Sequence, residues 1–121
     1  MRVLLIEDDP DILKLASMAL RFDGRFEVLQ AASGKEGLLI AQRESPEIIV
    51  LDVMMPEMDG YETLQHLKAD PKTRGIPVVF LSARAHEQEA QRGLDMGAVG
   101  YLTKPFDPMQ LPATLWELAL R

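Results

Sequence analysis

The sequence predicts a doubly wound α/β fold: a parallel sheet of five strands, in the order 2-1-3-4-5, with five helices on its two faces. Short, wholly apolar runs at residues 3–6 and 48–51 are typical of strands that are covered on both sides, as in parallel sheets. Each predicted strand is followed by a helical segment, and right-handed crossovers place such helices on both faces. Phe26–Gln30 alternates imperfectly, which indicates a half-exposed edge strand and favours this strand order.

Local signals predict where the first helices begin. Asp9 is a suitable N-cap for a helix that begins at Pro10, and Gly24 marks its end. Ser33 and Glu36 form the Ser-x-x-Glu pattern of a capping box. We expect strands at Val3–Ile6, Phe26–Gln30, Glu47–Leu51, Pro77–Leu81 and Val99–Leu102. We expect helices from Pro10 to about Asp23, from Ser33 to about Arg43, from Gly60 to Asp70, from His86 to Met96 and from Pro112 to Leu120.

The last two helices are expected to be irregular. Residues 86–96 carry few hydrophobic side chains and include Gly93, so this helix should be marginal and mobile. Asp107-Pro108 has the pattern of a cap followed by proline at the first helical position. Because Pro112 lacks the amide that would bond back to Pro108, we expect a distorted turn before the regular helix.

Composition limits the classes of protein that the chain can represent. Its 121 residues, 47% hydrophobic and 26% charged, are typical of a soluble globular domain, and we expect residues 1–121 to form one domain. The net charge of −6 argues against direct binding of nucleic acid, which depends on cationic side chains. The absence of cysteine excludes disulfides and thiolate metal sites. No apolar run is long enough for a bilayer and no secretory signal is present, so we expect a cytoplasmic domain without membrane contact.

Polar side chains follow the predicted strands at one edge of the sheet. Glu7 and Asp8 follow the first strand, Asp52 the third, Ser82 the fourth and Lys104 the fifth. Ligands of open α/β sheets bind at this edge. Clustered carboxylates repel one another and are tolerated mainly around a hard cation, and oxygen ligation by few protein groups suits Mg²⁺. A carboxylate nucleophile, a cation, a lysine and a hydroxyl are together what phosphoryl transfer to an aspartate requires.

Each of these residues also has an ordinary structural explanation when it is taken alone. Asp52 could cap a helix or turn, Lys104 could be a surface lysine, and Tyr101 could be a core aromatic with its hydroxyl pointing outward. Their coincidence at the ends of different strands is what favours a functional site.

The same residues form the motifs of a known family. The acidic pair Glu7-Asp8 is followed by Asp52 with Met55-Pro56-x-Met58-Asp59-Gly60, by Ser82-Ala83, and by Tyr101-x-x-Lys104-Pro105-Phe106. In this order and spacing, from Arg2 to about Leu120, the chain resembles the receiver domains of two-component response regulators, of the chemotaxis-regulator type. The resemblance implies a flavodoxin-like fold and a signalling domain that is not an enzyme, beyond assisting its own phosphorylation and dephosphorylation.

The resemblance also implies a phosphoacceptor and a metal site. Asp52 would take a phosphoryl group from a phosphohistidine on a sensor histidine kinase or a histidine phosphotransfer protein. Asp8 and Asp52 would bind Mg²⁺ or Mn²⁺ directly, together with the backbone carbonyl of Met54. Glu7 would assist through a water molecule.

A switch in response to phosphorylation is implied as well. Lys104 and Ser82 would contact the phosphoryl oxygens, Tyr101 would be the switch residue, and the Lys104-Pro105 bond would be cis. We expect an output surface for an unknown effector on the fourth helix, the fifth strand and the fifth helix. Residues 98–100 and 112–116 lack the charges of the branch that dimerises to drive winged-helix transcription factors. We therefore expect a mainly monomeric domain.

Three alternatives are less compatible with the residues. An aspartyl-phosphate phosphatase would need a general acid two residues after Asp52, where the chain has Met54. A flavin-binding module would need a phosphate loop rich in Ser, Thr and Gly after the first strand, where residues 7–10 are Glu-Asp-Asp-Pro. A pseudo-receiver that is not phosphorylated should lack Asp52 or Lys104. His66 and His86 lie in polar contexts and are interpreted as solvated surface residues.

Overall fold

Strands and helices alternate throughout the computed structural model, which describes residues 1–83 and 87–121. The strands are β1 (Arg2–Ile6), β2 (Glu27–Ala31), β3 (Ile48–Asp52), β4 (Val78–Ser82) and β5 (Gly100–Thr103). The helices are α1 (Pro10–Asp23), α2 (Gly34–Glu44), α3 (Gly60–Ala69), α4 (Glu87–Asp95) and α5 (Leu111–Ala119).

The sheet is parallel throughout, and its order is β2-β1-β3-β4-β5. The predicted fold class and strand order are therefore confirmed, with β2 at one edge. Strands β1 and β3 are neighbours, and Ile6 lies opposite Leu51. This register brings the residues that follow β1 next to the end of β3.

Alternate side chains of each strand pack into two separate cores, as the pleat of a strand requires. Leu4 and Ile6 belong to the core that α2 and α3 cover. Val3 and Leu5 belong to the core under α1 and α5. Because all four side chains are essentially inaccessible to solvent, β1 is buried on both faces, as its apolar run predicts.

Four strands end one residue later than the sequence pattern indicates. The ladder of β3 includes Asp52, which pairs with Leu81, and continues through the bond from the Val53 amide to the Leu81 carbonyl (3.1 Å). Likewise β4 includes Ser82, which pairs with Thr103. The apolar run marks the hydrophobic part of a strand, whereas backbone hydrogen bonding and burial extend past it to Asp52 and Ser82.

Two predicted helix starts follow local side-chain chemistry. The Asp9 carboxylate accepts hydrogen bonds from the amides of Asp11 (2.9 Å) and Ile12 (3.4 Å), which confirms it as an N-cap. The Ser33 hydroxyl accepts from the Glu36 amide (3.1 Å), but the Glu36 carboxylate bonds back to the amide of Ala32 instead of Ser33. The capping box is therefore only half formed.

The last two helices differ slightly from expectation. The structure describes the fourth helix from Glu87, so the predicted start at His86 lies outside the described residues. The last helix begins at Leu111, one residue before the predicted start, after an irregular turn at residues 107–110. Pro112 thereby occupies the second helical position, where its missing amide has no helical partner to lose.

Candidate functional site

Glu7, Asp8 and Asp52 meet at the carboxyl edge of the sheet. Glu7 and Asp8 directly follow β1, and Asp52 is the last residue of the neighbouring β3. One carboxylate oxygen from each of these residues lies within 4.8 Å of the other two. Glu7 and Asp52 are only 3% and 2% exposed, whereas Asp8 is exposed. The cluster is therefore a buried pair of carboxylates with a third carboxylate at its opening.

Lys104 is the cation that the structure sets against this buried pair. Its Nζ lies 2.5 Å from Glu7 Oε1 and 3.1 Å from Asp52 Oδ1. The loop after β5 positions it: the Lys104 amide donates to the Ser82 carbonyl (2.7 Å), and the Lys104-Pro105 peptide bond is cis, as expected. Lys104, Glu7 and Asp52, which follow or end three different strands, are thus in direct contact, as the sequence pattern predicts.

One cation does not compensate the carboxylates fully. Burial raises the pKa of Asp52, the hydrogen bonding and charge of Glu7 raise it further, and Lys104 only partly opposes them, so that it reaches about 8. Burial acts to lower the pKa of Lys104, but its bonds to Glu7 and Asp52 outweigh burial and raise it. The pocket holds more negative charge than it can stabilise by itself.

The chemistry of the pocket fits a hard divalent cation. Glu7 Oε2 is buried and has no hydrogen-bond partner within residues 1–83 and 87–121. The possible ligands in the pocket are all oxygen atoms, and three carboxylates converge within reach of a single ion. Oxygen ligands that leave room for water suit Mg²⁺ or Mn²⁺. Glu7, Asp8 and Asp52 are thus the residues that could hold such an ion.

The segment after Asp52 folds back against the strand that carries it. The Gly60 amide donates to the Val53 carbonyl (2.8 Å). A Cβ atom at Gly60 would lie 2.4 Å from the carbonyl oxygen of Asp52, so only glycine allows this approach. The carboxylate of Asp59 caps α3 by accepting from the Glu62 amide (2.9 Å). Sequence reasoning treated Gly60 as part of a motif and did not predict this backbone contact.

The remaining predicted residues surround the pocket at different depths. The residue Met54, whose carbonyl is a predicted ligand, is exposed just beyond Asp52. Ser82 ends β4 and is fully buried. Tyr101 is half-buried in β5 and lies beside Phe80, with ring centroids 6.2 Å apart. Tyr101 therefore belongs to the core next to the site, and its predicted switch role requires a change to be relayed to it.

No helix in the part of the chain that the structure describes combines the length and the apolar character needed to cross a membrane.

The site thus consists of an open parallel sheet with a buried aspartate, paired with a lysine, at its carboxyl edge. The sequence model of the response regulator receiver domain matches residues 3–115. The chain belongs to the response regulator receiver domain family, as the resemblance predicts.

Similar proteins agree with this assignment. The chain is 41% identical over 120 residues to the DNA-binding dual master transcriptional regulator RpaA of Synechocystis sp., covering 99% of the chain and 49% of that protein. It is 40% identical over 111 residues to an uncharacterized 14.6 kDa protein of Leptolyngbya boryana, covering 92% and 84%. The chain thus spans about half the length of RpaA but most of the second relative.

A solved structure supports the fold independently. The chemotaxis protein CheY4 of Vibrio cholerae superposes with a TM-score of 0.89 at 33% identity, over 97% of each chain. This neighbour has the same flavodoxin-like arrangement of a five-stranded parallel sheet and five helices.

Proposed function

We propose that this receiver domain is activated by phosphorylation of Asp52, with Mg²⁺ (or Mn²⁺) bound beside it. The observation that carries the proposal is the buried contact of Asp52 with Glu7 and Lys104 at the carboxyl edge of the sheet. The donor would be a phosphohistidine on a sensor histidine kinase or a histidine phosphotransfer protein. In the transfer, an oxygen of Asp52 bonds to phosphorus, the phosphorus–nitrogen bond breaks, and the imidazole leaves and takes up a proton.

The carboxylates would bind the metal ion. Asp8, Asp52 and the Met54 carbonyl would ligate it directly, and Glu7 would act through water. When bound, the ion would offset the charge of the carboxylates and of the phosphoryl group. Among the described residues Glu7 Oε2 has no hydrogen-bond partner, which supports this assignment, because a buried charged oxygen without a donor is costly unless a cation is near.

Lys104 would change partner when Asp52 is phosphorylated. In the unmodified domain its Nζ contacts both Asp52 and Glu7. A phosphoryl group on Asp52 adds oxygens with greater charge, so Lys104 would turn to them. Because the phosphoryl group ends on the domain's own Asp52, the domain would be a phosphoacceptor and not an enzyme, apart from assisting its own phosphorylation and dephosphorylation.

The switch would run from Ser82 to Tyr101. If the Ser82 hydroxyl moves toward the phosphoryl oxygens, it leaves space behind β4 that Tyr101 can enter. The output surface would consist of α4, β5 and α5, including Trp116. We place the domain in the cytoplasm as a single unit of residues 1–121 that remains mainly monomeric. No direct contact with nucleic acid or membrane is assigned to it.

A second candidate for the output follows from the relatives. RpaA is named as a DNA-binding transcriptional regulator, and the chain matches about half of that protein. In a longer protein of this kind, a separate domain would bind DNA, and the receiver would control it. The charge pattern of residues 98–100 and 112–116 still favours control without tight dimerisation of the receiver.

Intact-mass spectrometry tests the phosphoacceptor directly. Incubation with acetyl phosphate and Mg²⁺ should add one phosphate to the parent chain, and Asp52→Asn should abolish the addition. Asp11→Asn is a matched control, because Asp11 is an exposed carboxylate at the start of α1 and should leave labelling unchanged. Full labelling of Asp52→Asn would falsify the assignment.

Sedimentation with and without beryllofluoride, which mimics the phosphoryl group, tests the oligomeric state. The domain should sediment as a monomer in both conditions. A tight dimer that forms only with beryllofluoride would contradict the proposed monomeric output and favour the dimerising branch.

A further inference from the structure

Tyr61, in the first turn of α3, is attached to α4. Its hydroxyl donates a hydrogen bond to Glu89 Oε2 (2.7 Å). The guanidinium carbon of Arg92 lies 4.0 Å from the centre of the Tyr61 ring, which is a cation–π contact. On its other side the ring packs against Phe80, with centroids 5.2 Å apart. Tyr61 is only 6% exposed, whereas Glu89 is half-buried and Arg92 is exposed, so the hydrogen bond is partly buried and the cation–π contact lies at the surface.

Helix α4, which Tyr61 contacts, buries few side chains of its own. Within Glu87–Asp95, only Gly93 is buried, and the helix therefore presents no apolar side chain that is fully covered. A Cβ atom at Gly93 would lie 2.7 Å from Phe80 Cδ2, so the helix backbone rests directly on this ring. Tyr61 and the backbone contact at Gly93 are therefore two attachments of α4 to the rest of the fold.

Tyr61 is also joined to the phosphoacceptor strand. The preceding residue, Gly60, donates its amide to the Val53 carbonyl (2.8 Å), and its Cα has no room for a side chain beside the Asp52 carbonyl. A shift of the backbone after Asp52 must therefore displace Gly60 and, with it, the first turn of α3. Since interior contacts this close do not deform freely, the displacement reaches the Tyr61 side chain.

We propose that Tyr61 couples the segment after Asp52 to α4, through its hydrogen bond to Glu89 and its contact with Arg92. These contacts hold α4 in the arrangement that belongs to unmodified Asp52, in which Lys104 still pairs with Asp52. Phosphorylation moves Gly60 and thereby weakens the contacts of Tyr61 with Glu89 and Arg92. Helix α4 can then shift to the active arrangement. This route rests on the proposed function and is separate from the Ser82–Tyr101 route, because it enters α4 from α3 and not from β5.

The burial of the tyrosine hydroxyl agrees with a contact of this kind. Burial raises the pKa of Tyr61 above its ordinary value, and the bond to Glu89 raises it further. The hydroxyl therefore stays protonated and donates across the neutral range. A hydrogen bond to a charged acceptor is among the stronger ones, and its loss should change the population of the released state about three- to tenfold.

Tyr61→Phe tests the proposal, because it removes one oxygen atom and keeps the ring between Phe80 and Arg92. In the unmodified protein, amide exchange of residues 89–96 should become about three- to tenfold faster. The apparent affinity for beryllofluoride with Mg²⁺, measured by calorimetry, should tighten by a similar factor, since the competent state is more populated. Glu87→Ala is the control, because Glu87 is exposed on the same helix.

A double-mutant cycle with Glu89→Ala distinguishes coupling from general loosening. If the hydroxyl–carboxylate bond is the link, the effects of Tyr61→Phe and Glu89→Ala on beryllofluoride affinity should not add. Additive effects, or parental exchange and affinity in Tyr61→Phe, would overturn the inference. A parent chain that fails to bind beryllofluoride would instead reject the proposed function and the coupling with it, while the exchange data would still report on the Tyr61 contact.

Discussion

Each of the two edges of the sheet carries a cluster of acidic and basic side chains. The cluster at the carboxyl edge is largely buried, and the cluster at the amino edge is partly exposed. Within residues 1–83 and 87–121, each cluster combines three carboxylates with basic side chains: one lysine at the carboxyl edge and two arginines at the amino edge. The carboxyl-edge cluster consists of Glu7, Asp8, Asp52 and Lys104. The amino-edge cluster consists of Arg2, Arg43, Glu27, Glu44 and Glu47. The two clusters therefore differ in the number of cations as well as in burial.

At the amino edge the carboxylates are well accommodated. Arg2 donates to the Glu44 carboxylate (2.9 Å) and the Glu44 carbonyl (2.6 Å), and it lies 3.5 Å from the Glu27 carboxylate. The bond from Arg2 outweighs the other influences and lowers the pKa of Glu44. The side chains of Arg2 and Glu44 are about a third exposed, so water shares in their solvation.

At the carboxyl edge, Lys104 compensates the buried carboxylates only partly. The side chains of Glu7 and Asp52 are only 4% and 2% exposed, and burial together with the neighbouring Glu7 raises the pKa of Asp52 to about 8. Deeper burial and fewer cations therefore make this cluster less favourable to the fold than the amino-edge cluster. On the proposed function, a bound cation would supply the missing positive charge.

The largest expected effect is an opposite response of the two edges to loss of a carboxylate charge. In chelator at pH 8, Asp52→Asn should raise the free energy of unfolding by about 1–3 kcal/mol, because it removes a poorly compensated buried charge. Glu44→Gln, at the amino edge, should instead lower stability. Urea denaturation of both variants measures the two signs. If Asp52→Asn lowered the free energy of unfolding, the predicted difference in sign between the two edges would be wrong.

Mg²⁺ should act on the carboxyl edge alone, with a smaller effect. Binding to the folded state raises stability by about 1.4 kcal/mol at a concentration ten times the dissociation constant. Asp8→Asn should stabilise the metal-free protein by relieving repulsion, and it should reduce both the Mg²⁺ effect and phosphorylation. Thermal melts with and without Mg²⁺ test this, with Glu47→Gln from the amino edge as the control. An unchanged Mg²⁺ effect in Asp8→Asn would exclude Asp8 as a ligand.

The contributions of Asp52 and Glu44 to stability should change with pH in opposite directions. The change at Asp52 accounts for part of the effect expected of Asp52→Asn. The pKa of Asp52 is raised by folding from 3.8 to about 8, so its favourable contribution is complete below the lower value and is lost as pH rises through the upper one. The pKa of Glu44 is lowered, so its contribution is lost as pH falls. In chelator, the stability of the parent relative to Asp52→Asn should therefore decline between about pH 4 and pH 8. A flat difference would show that Asp52 ionises normally.

The fold and the location of the site were predictable because both depend on short-range pattern. Continuous apolar runs identify strands buried on both faces, and parallel strands bring their carboxyl ends together at one edge. Glu7, Asp52 and Lys104 could therefore be assigned to one pocket although they are distant in sequence. Asp9 was predictable as a cap because its partners are its neighbours in the chain.

The burial of individual side chains and the specific hydrogen bonds between distant segments were not predictable. The sequence does not reveal that Glu7 is buried while Asp8 is exposed, since this follows from how the loop after β1 meets β3. The bond between Tyr61 and Glu89 joins residues 28 positions apart, and nothing in the local pattern of either helix indicates it. The start of α5 differed by one residue because the turn at 107–110 sets it.

The smallest expected effect is that of Arg2→Gln, which removes one of the two arginines of the amino-edge cluster. Because the Arg2 side chain is about a third exposed and its ion pairs reach the surface, we expect only a slight fall in stability at low ionic strength. Concentrated salt, which shortens the Debye length to about 3 Å at 1 M, should abolish the part of the fall that comes from charge. The effect of Asp52→Asn should persist in the same salt, since buried charges are screened much less. Urea denaturation of both variants at low and high salt measures this, with Arg121→Gln as a control for an exposed pair within one helix end. A salt-resistant loss in Arg2→Gln would mean that the amino edge, too, depends on a buried charge, and that solvent access does not separate the two clusters.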